Sequence, residues 1–107
     1  MIHARMDWRR MQLMMWGHAG YGEPGKDIVC AGASMLFDAL TGTLKEAEER
    51  GRTSAQMDQR GDSTVIITAD PSMNNVNEIK SYYRMAVKGL KMLAEQYPEN
   101  VELKEVS

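Results

Sequence analysis

Two segments of this chain repeat apolar residues at three- and four-residue spacing, so each forms a helix with one apolar face. The first opens at Asp27, a favoured N-cap residue, and extends to Arg50, just before Gly51, which suits a helix C-terminus. The second begins near Val76 and ends near Tyr97. A helix with one apolar face must bury that face against another element. The two segments therefore predict two helices packed on a sheet.

Short apolar or alternating segments surround these helices. The β-branched run at 64–68 predicts a well-buried strand that ends at Pro71. The remaining strands are predicted at 1–6, 11–16, 53–59 and 101–103, with a hairpin turn at Gly61-Asp62. The last strand alternates with charged residues, which favours a sheet edge. The order β-β-α-β-β-α-β predicts one domain over residues 1–107, an α/β (α+β) two-layer sandwich with a mainly antiparallel sheet and two helices.

Composition narrows the class of protein. The net charge is −2 and the basic residues are scattered apart from Arg9-Arg10, so we expect no nucleic-acid partner. A single cysteine allows no internal disulfide. The longest apolar stretches fall short of the roughly 20 residues of a membrane span, and early charges argue against a signal peptide. These features predict a soluble cytoplasmic protein with no membrane partner.

The segment from Gly17 to Gly25 holds four glycines and one proline and predicts a mobile loop. His18 stands at its start, and Cys30 follows it in the first turn of the first helix. Unsatisfied N–H groups and the helix dipole favour a thiolate there. An imidazole across the loop could take the thiol proton and pass it to a leaving amine, while the same N–H groups hold an oxyanion. The pattern predicts a cysteine–histidine catalytic pair.

Two further residues lie close to this pair in the sequence. Asp27 could cap the helix or orient His18; we favour the cap, because a carboxylate so near Cys30 opposes thiolate formation. Ser34 follows Cys30 by four residues and so shares its helix face, where it could form a hydrogen bond near the site.

These residues resemble the hallmark of the ribosomal-processing cysteine proteases called Prp. That hallmark is a Gly-His-Ala segment, a glycine-containing loop, then Asp-Ile-Val-Cys-Ala with a serine one turn later. The resemblance implies that Cys30 is the nucleophile and His18 its base, without cofactor or metal. It also implies supporting roles and a loop that moves when substrate binds. The supporting positions are Gly17, Asp27 and Ser34, and the mobile loop comprises Ala19, Gly20, Tyr21, Gly22 and Gly25.

The resemblance also implies a substrate and an assembly. Prp proteases trim the N-terminal extension from a large-subunit ribosomal protein, phage relatives process capsid and scaffold proteins, and members are typically homodimers. Gly32 departs from the family, which usually has a second alanine there. The expectation is a cytoplasmic cysteine endopeptidase, a homodimer, that acts on one of these protein substrates.

A nucleotide-binding module is a competing interpretation of the glycine-rich loop. Residues 20–26 fit the pattern G-x-x-x-x-G-K, and residues 65–70 resemble a strand that ends in a magnesium-binding aspartate. Asp27, however, stands where that motif needs serine or threonine, and its charge would repel phosphate.

A metal site is a second competing interpretation. It could draw on His18, Cys30, Asp27 and His3, but zinc prefers four ligands in close pairs. The chain could also be a non-enzymatic interaction protein, such as an inactive homologue or a structural component of a ribosome or phage.

Overall fold

A computed structural model describes residues 1–23, 25–61 and 63–107 of the chain. Pro24 of the glycine-rich loop and Asp62 of the predicted hairpin turn lie outside the described residues. The elements are β1 (Ile2–Asp7), β2 (Gln12–Gly17), α1 (Ile28–Glu49), β3 (Thr53–Arg60), β4 (Thr64–Pro71), a short 3₁₀ helix (Met73–Asn75), α2 (Val76–Gln96) and β5 (Val101–Val106). The predicted order β-β-α-β-β-α-β is confirmed.

The five strands form one sheet in the order β3-β4-β2-β1-β5. Three neighbouring pairs are antiparallel, and β1 and β5 are parallel. The mainly antiparallel sheet and the edge position of β5 are therefore confirmed. In the register of the central strands, Ile2 pairs with both Gly17 and Val101. At one end of the strands, therefore, β1 begins beside the end of β2 and the start of β5.

The core lies between this sheet and the two helices. Alternate residues of β1 are buried, as expected for a strand with one face toward the core. The helices contribute their predicted stripes, with Val29, Ala33, Phe37, Leu40, Leu44 and Ala47 buried on α1 and Ile79, Tyr83, Ala86, Val87 and Leu90 on α2. Burying each large apolar side chain stabilises the fold by about 1.5–3 kcal/mol. The two-layer architecture is confirmed.

By length and composition alone, α1 is apolar enough to cross a membrane. Its buried stripe instead packs in the core with residues from the sheet and from α2. The helix ends as predicted, because Gly51 adopts the positive φ of 72° that follows many helix C-termini. The buried stripe of α1 therefore belongs to the core of the fold, while Ile28 and Met35 of the same helix are exposed.

Candidate active site

The two residues predicted to be catalytic line one cleft. His18 directly follows β2, and Cys30 lies in the first turn of α1. His18 is exposed and Cys30 is half-buried, so a substrate in the cleft can reach both side chains. The cleft has a volume of about 510 Å³, and its lining comprises His18, Gly20, Gly22, Gly25, Asp27, Cys30, Ala31 and Ser34.

Asp27 caps α1, as predicted. Its Oδ1 accepts hydrogen bonds from the backbone N–H groups of Val29 and Cys30, both at 3.0 Å. The bond from Cys30 N–H is the main reason that the pKa of the Asp27 carboxyl lies below its usual value, with bonds from Gly22, Tyr21 and Val29 acting the same way against partial desolvation. The N–H groups expected to hold an oxyanion are therefore engaged by Asp27 in this state.

The second oxygen of Asp27 joins the glycine-rich loop to the helix. Oδ2 accepts hydrogen bonds from the backbone N–H groups of Tyr21 at 3.0 Å and Gly22 at 3.2 Å. The ring of Tyr21 also meets the ring of Tyr97 edge to face, with centroids 5.2 Å apart. Among the described residues, no hydrogen bond links Asp27 to His18. Asp27 thus acts on the loop and the helix rather than on the imidazole in this state.

The sulfur of Cys30 has a backbone partner. Ala19 N–H donates to Cys30 Sγ at 3.2 Å, and Ala19 is only 2% exposed. The described contacts include no hydrogen bond between the side chains of His18 and Cys30, and none made by the Ser34 hydroxyl, although Ser34 lines the same cleft. The Ala19 N–H is therefore the backbone donor that any negative charge on this sulfur would meet. Sequence reasoning placed Ala19 only in the mobile loop and missed this contact.

Gly17 connects β2 to this site in a conformation that requires glycine. Its φ is 91°, and a Cβ at this position would lie 2.3 Å from the carbonyl oxygen of Met1. Contacts that short do not occur for real Cβ atoms. Gly17 therefore lets the chain pass close to the start of β1 and turn toward His18.

A residue far away in sequence also reaches the loop. The Asn100 side chain, just before β5, donates from Nδ2 to the carbonyl oxygen of Ala19 at 2.8 Å. Its backbone is fixed on both sides, since its N–H donates to Tyr97 and its carbonyl accepts from Ile2. Sequence reasoning missed Asn100, because only the parallel pairing of β5 with β1 brings it to the end of the strands where the loop begins.

The predicted catalytic pair also borders a second recess on the sheet side. This recess has a volume of about 230 Å³. Its lining joins the pair to the β3–β4 hairpin and comprises Ile2, Met15, Gly17, His18, Cys30, Ser34, Gln59, Ser63 and Val65. His18, Cys30 and Ser34 therefore border two spaces, this recess and the larger cleft.

The geometry disfavours a nucleotide-binding loop. The loop N–H groups of Tyr21 and Gly22 point at a carboxylate rather than at an open phosphate cradle. Gln12, at the start of β2, pairs with Thr68, whereas the loop follows the end of β2. Asp70 therefore lies at the opposite end of the strands from the loop. A magnesium-binding role for Asp70 next to the loop is thereby excluded.

A metal site finds no support in the part of the chain that the structure describes. No group of three or more His, Cys, Asp or Glu side chains placed to hold a metal ion is found there. His3 is engaged elsewhere, with its ring stacked on Trp16 at 5.2 Å and its Nδ1 3.1 Å from Glu102 Oε1.

Comparison with known proteins shows similarity to cysteine proteases, in agreement with a cysteine in the cleft. A family model described as cysteine protease Prp matches residues 1–102. A ribosomal processing cysteine protease Prp from Staphylococcus aureus is 34% identical over 92 residues, which cover 85% of this chain and 82% of the relative.

Two solved structures show the same fold. A crystal structure of a ribosomal processing protease Prp from S. aureus, with a covalently linked product peptide, superposes with a TM-score of 0.78 at 25% identity. A second S. aureus Prp structure, with a substrate peptide, gives a TM-score of 0.71 at 24% identity. Each alignment covers 99% of this chain and 100% of the other.

Proposed function

Because this chain belongs to the Prp family of cysteine proteases, we propose that it cleaves a ribosomal protein with Cys30 as nucleophile and His18 as general base. The observation that carries the proposal is the shared cleft, in which a half-buried sulfur at a helix start and an exposed imidazole line the same space. The Ala19 N–H donates to this sulfur and is placed to stabilise the anion that attacks the substrate.

The reaction proceeds through an acyl-enzyme. His18 takes the thiol proton, and the sulfur attacks the carbonyl carbon of the scissile peptide to form a tetrahedral intermediate. The C–N bond then breaks as His18 gives its proton to the leaving amine, which leaves a thioester on Cys30. Water, deprotonated by His18, attacks the thioester, and the carboxylate product leaves as the thiol is restored. No cofactor enters either half of the reaction.

The loop closes on the substrate before chemistry begins. Gly20 and Gly25 adopt positive φ values of 67° and 83°, and apart from chain neighbours no described atom lies within 4 Å of a Cβ built at either position. Both positions therefore provide glycine-specific hinges, one on each side of Tyr21 and Gly22. Closure releases the N–H groups of Tyr21 and Gly22 from Asp27, and the exposed side chain of His18, which precedes the held Ala19, turns toward the sulfur. Those groups then join the binding of the substrate backbone.

The substrate is the N-terminal extension of a large-subunit ribosomal protein. The S. aureus relative is a ribosomal processing protease, and the solved S. aureus structures hold a product and a substrate peptide. Such a role places the enzyme in ribosome biogenesis and in the cytoplasm, where it needs neither nucleic acid nor membrane. From the family resemblance we also propose that it is a homodimer. Light scattering coupled to size-exclusion chromatography measures the assembly directly.

Co-expression with tagged candidate substrates from the same genome tests the proposal. Wild-type enzyme should shorten the tagged ribosomal protein, whereas Cys30→Ala and His18→Ala should leave it at full length. His3→Ala is the matched control, because it removes the other histidine of the chain and should process normally. Processing by Cys30→Ala would contradict the nucleophile assignment. Cleavage of a phage capsid protein, without cleavage of any ribosomal protein, would contradict the proposed substrate and identify the capsid protein instead.

A further inference from the structure

The peptide unit that carries the contact to the sulfur is held by a side chain from the other end of the chain. Ala19 donates its N–H to Cys30 Sγ and accepts at its carbonyl from Asn100 Nδ2, at 3.2 Å and 2.8 Å. From these two bonds we propose that Asn100 is a positioning residue of the protease, which acts on the nucleophile through Ala19. The inference rests on the proposed role of Cys30.

Asn100 is itself fixed before it meets Ala19. Its N–H donates to the Tyr97 carbonyl at 2.9 Å, at the end of α2, and its carbonyl accepts from Ile2 N–H at 2.8 Å, at the start of β1. Both bonds involve only the backbone, so they persist when the side chain is replaced. The side-chain amide is therefore held in place by the helix and the sheet, and neither of its anchors belongs to the loop.

The position of Ala19 explains why such an anchor is needed. Ala19 lies between the exposed residues His18 and Gly20, and Gly20 has the positive φ of a hinge. Without the Asn100 bond, movement of the loop would carry the Ala19 N–H away from the sulfur. With it, the donor to the sulfur stays in place while the loop moves at Tyr21 and Gly22. Asn100 thus separates the fixed part of the site from the moving part.

The consequence for catalysis is specific. Loss of the Asn100 amide weakens the hydrogen bond to the thiolate and leaves the cleft walls that bind substrate unchanged. Partial loss of a hydrogen bond to a charged group corresponds to roughly a tenfold change in rate, which is about 1.4 kcal/mol. Asn100→Ala should therefore lower kcat about tenfold with KM nearly unchanged. Asn100→Asp should lower it further, because a carboxylate repels both the Ala19 carbonyl and the thiolate.

Alkylation of Cys30 by iodoacetamide, followed by intact-protein mass spectrometry, tests the proposal without any substrate. The chain has one cysteine, so the signal is unambiguous. Asn100→Ala should alkylate about tenfold more slowly near neutral pH, with its rate profile displaced to higher pH. A purely structural role would not move this profile. The companion measurement is kcat and KM on the extension peptide that the wild-type enzyme cleaves.

Ser72→Ala is the matched control. The Ser72 hydroxyl donates to the Arg52 carbonyl at 2.7 Å and so ties together two distant segments in the same way, far from the cleft. This variant should lose some thermal stability and alkylate at the wild-type rate. Wild-type alkylation in Asn100→Ala, or equal slowing in Ser72→Ala, would overturn the positioning role. Since alkylation needs no proteolysis, failure of the processing assay leaves this measurement decisive.

Discussion

Replacement of Gly17 by alanine should destabilise the protein and abolish processing together. The new Cβ would lie 2.3 Å from the Met1 carbonyl oxygen, and φ is 91°. The Met1 carbonyl belongs to the same peptide unit as Ile2 N–H, which donates to Asn100 at 2.8 Å. Relief of the clash by rotation of that unit would therefore break this bond.

The two costs add to a measurable loss of stability. A left-handed conformation in a residue with a side chain costs about 1–2 kcal/mol, and the lost hydrogen bond about 1 kcal/mol. The total of about 2–3 kcal/mol should lower Tm by roughly 10–20 °C for a chain of this size. Because Gly17 precedes His18, processing should fail as well.

Differential scanning calorimetry measures the Tm of Gly17→Ala, with Gly42→Ala as the control variant. Gly42 is exposed within α1, and a Cβ added there would have no atom within 4 Å, so alanine should stabilise the helix by about 0.5–1 kcal/mol. A Gly17→Ala protein that melts within about 3 °C of wild type and processes normally would refute the reasoning from the close approach.

Further expected outcomes concern the helix cap and the core. Asp27→Asn should release the loop and speed limited tryptic cleavage after Lys26, whereas Asp38→Asn, an exposed change on α1, should not. The pKa of Asp27 is lowered from 3.8, so its carboxylate stabilises the fold fully above that pH and loses the effect as pH falls through the lower folded value. The Tm difference between wild type and Asp27→Asn should accordingly be constant near neutral pH and shrink in acid; a constant difference throughout would contradict the charge assignment. Leu44→Ala, at a fully buried position, should cost about 2–5 kcal/mol in urea unfolding, against less than about 0.5 kcal/mol for the exposed Met35→Ala.

Helices and strands were predictable because their signals are local. The helix cap at Asp27 and the positive φ at Gly51 follow from residue types next to periodic apolar stripes. The β-branched run near Ile67 gave a buried strand for the same reason. In each case a few neighbouring residues carry enough information to define the element.

The internal organisation of the site was not predictable in the same way. Cys30 and His18 could be identified from residue chemistry and spacing, but the partners of the sulfur and of Asp27 depend on loop conformation. Asn100 has no local signal, since its role arises only from the pairing of the last strand with the first. Contacts between residues about eighty positions apart follow from strand order, which periodicity does not encode.

The loop movement that we propose requires the sulfur to stay oriented while neighbouring residues move, and the contacts of Ala19 meet this requirement. Its N–H meets the sulfur, its carbonyl meets Asn100, and its methyl group belongs to the buried core. Three independent contacts therefore hold this residue, whereas the residue on each side is exposed. Glycine at this position would lose the methyl contact and extend the flexible segment toward β2. The boundary between the rigid scaffold and the loop that we propose to move thus falls within three consecutive residues, next to the group that we propose carries out the chemistry.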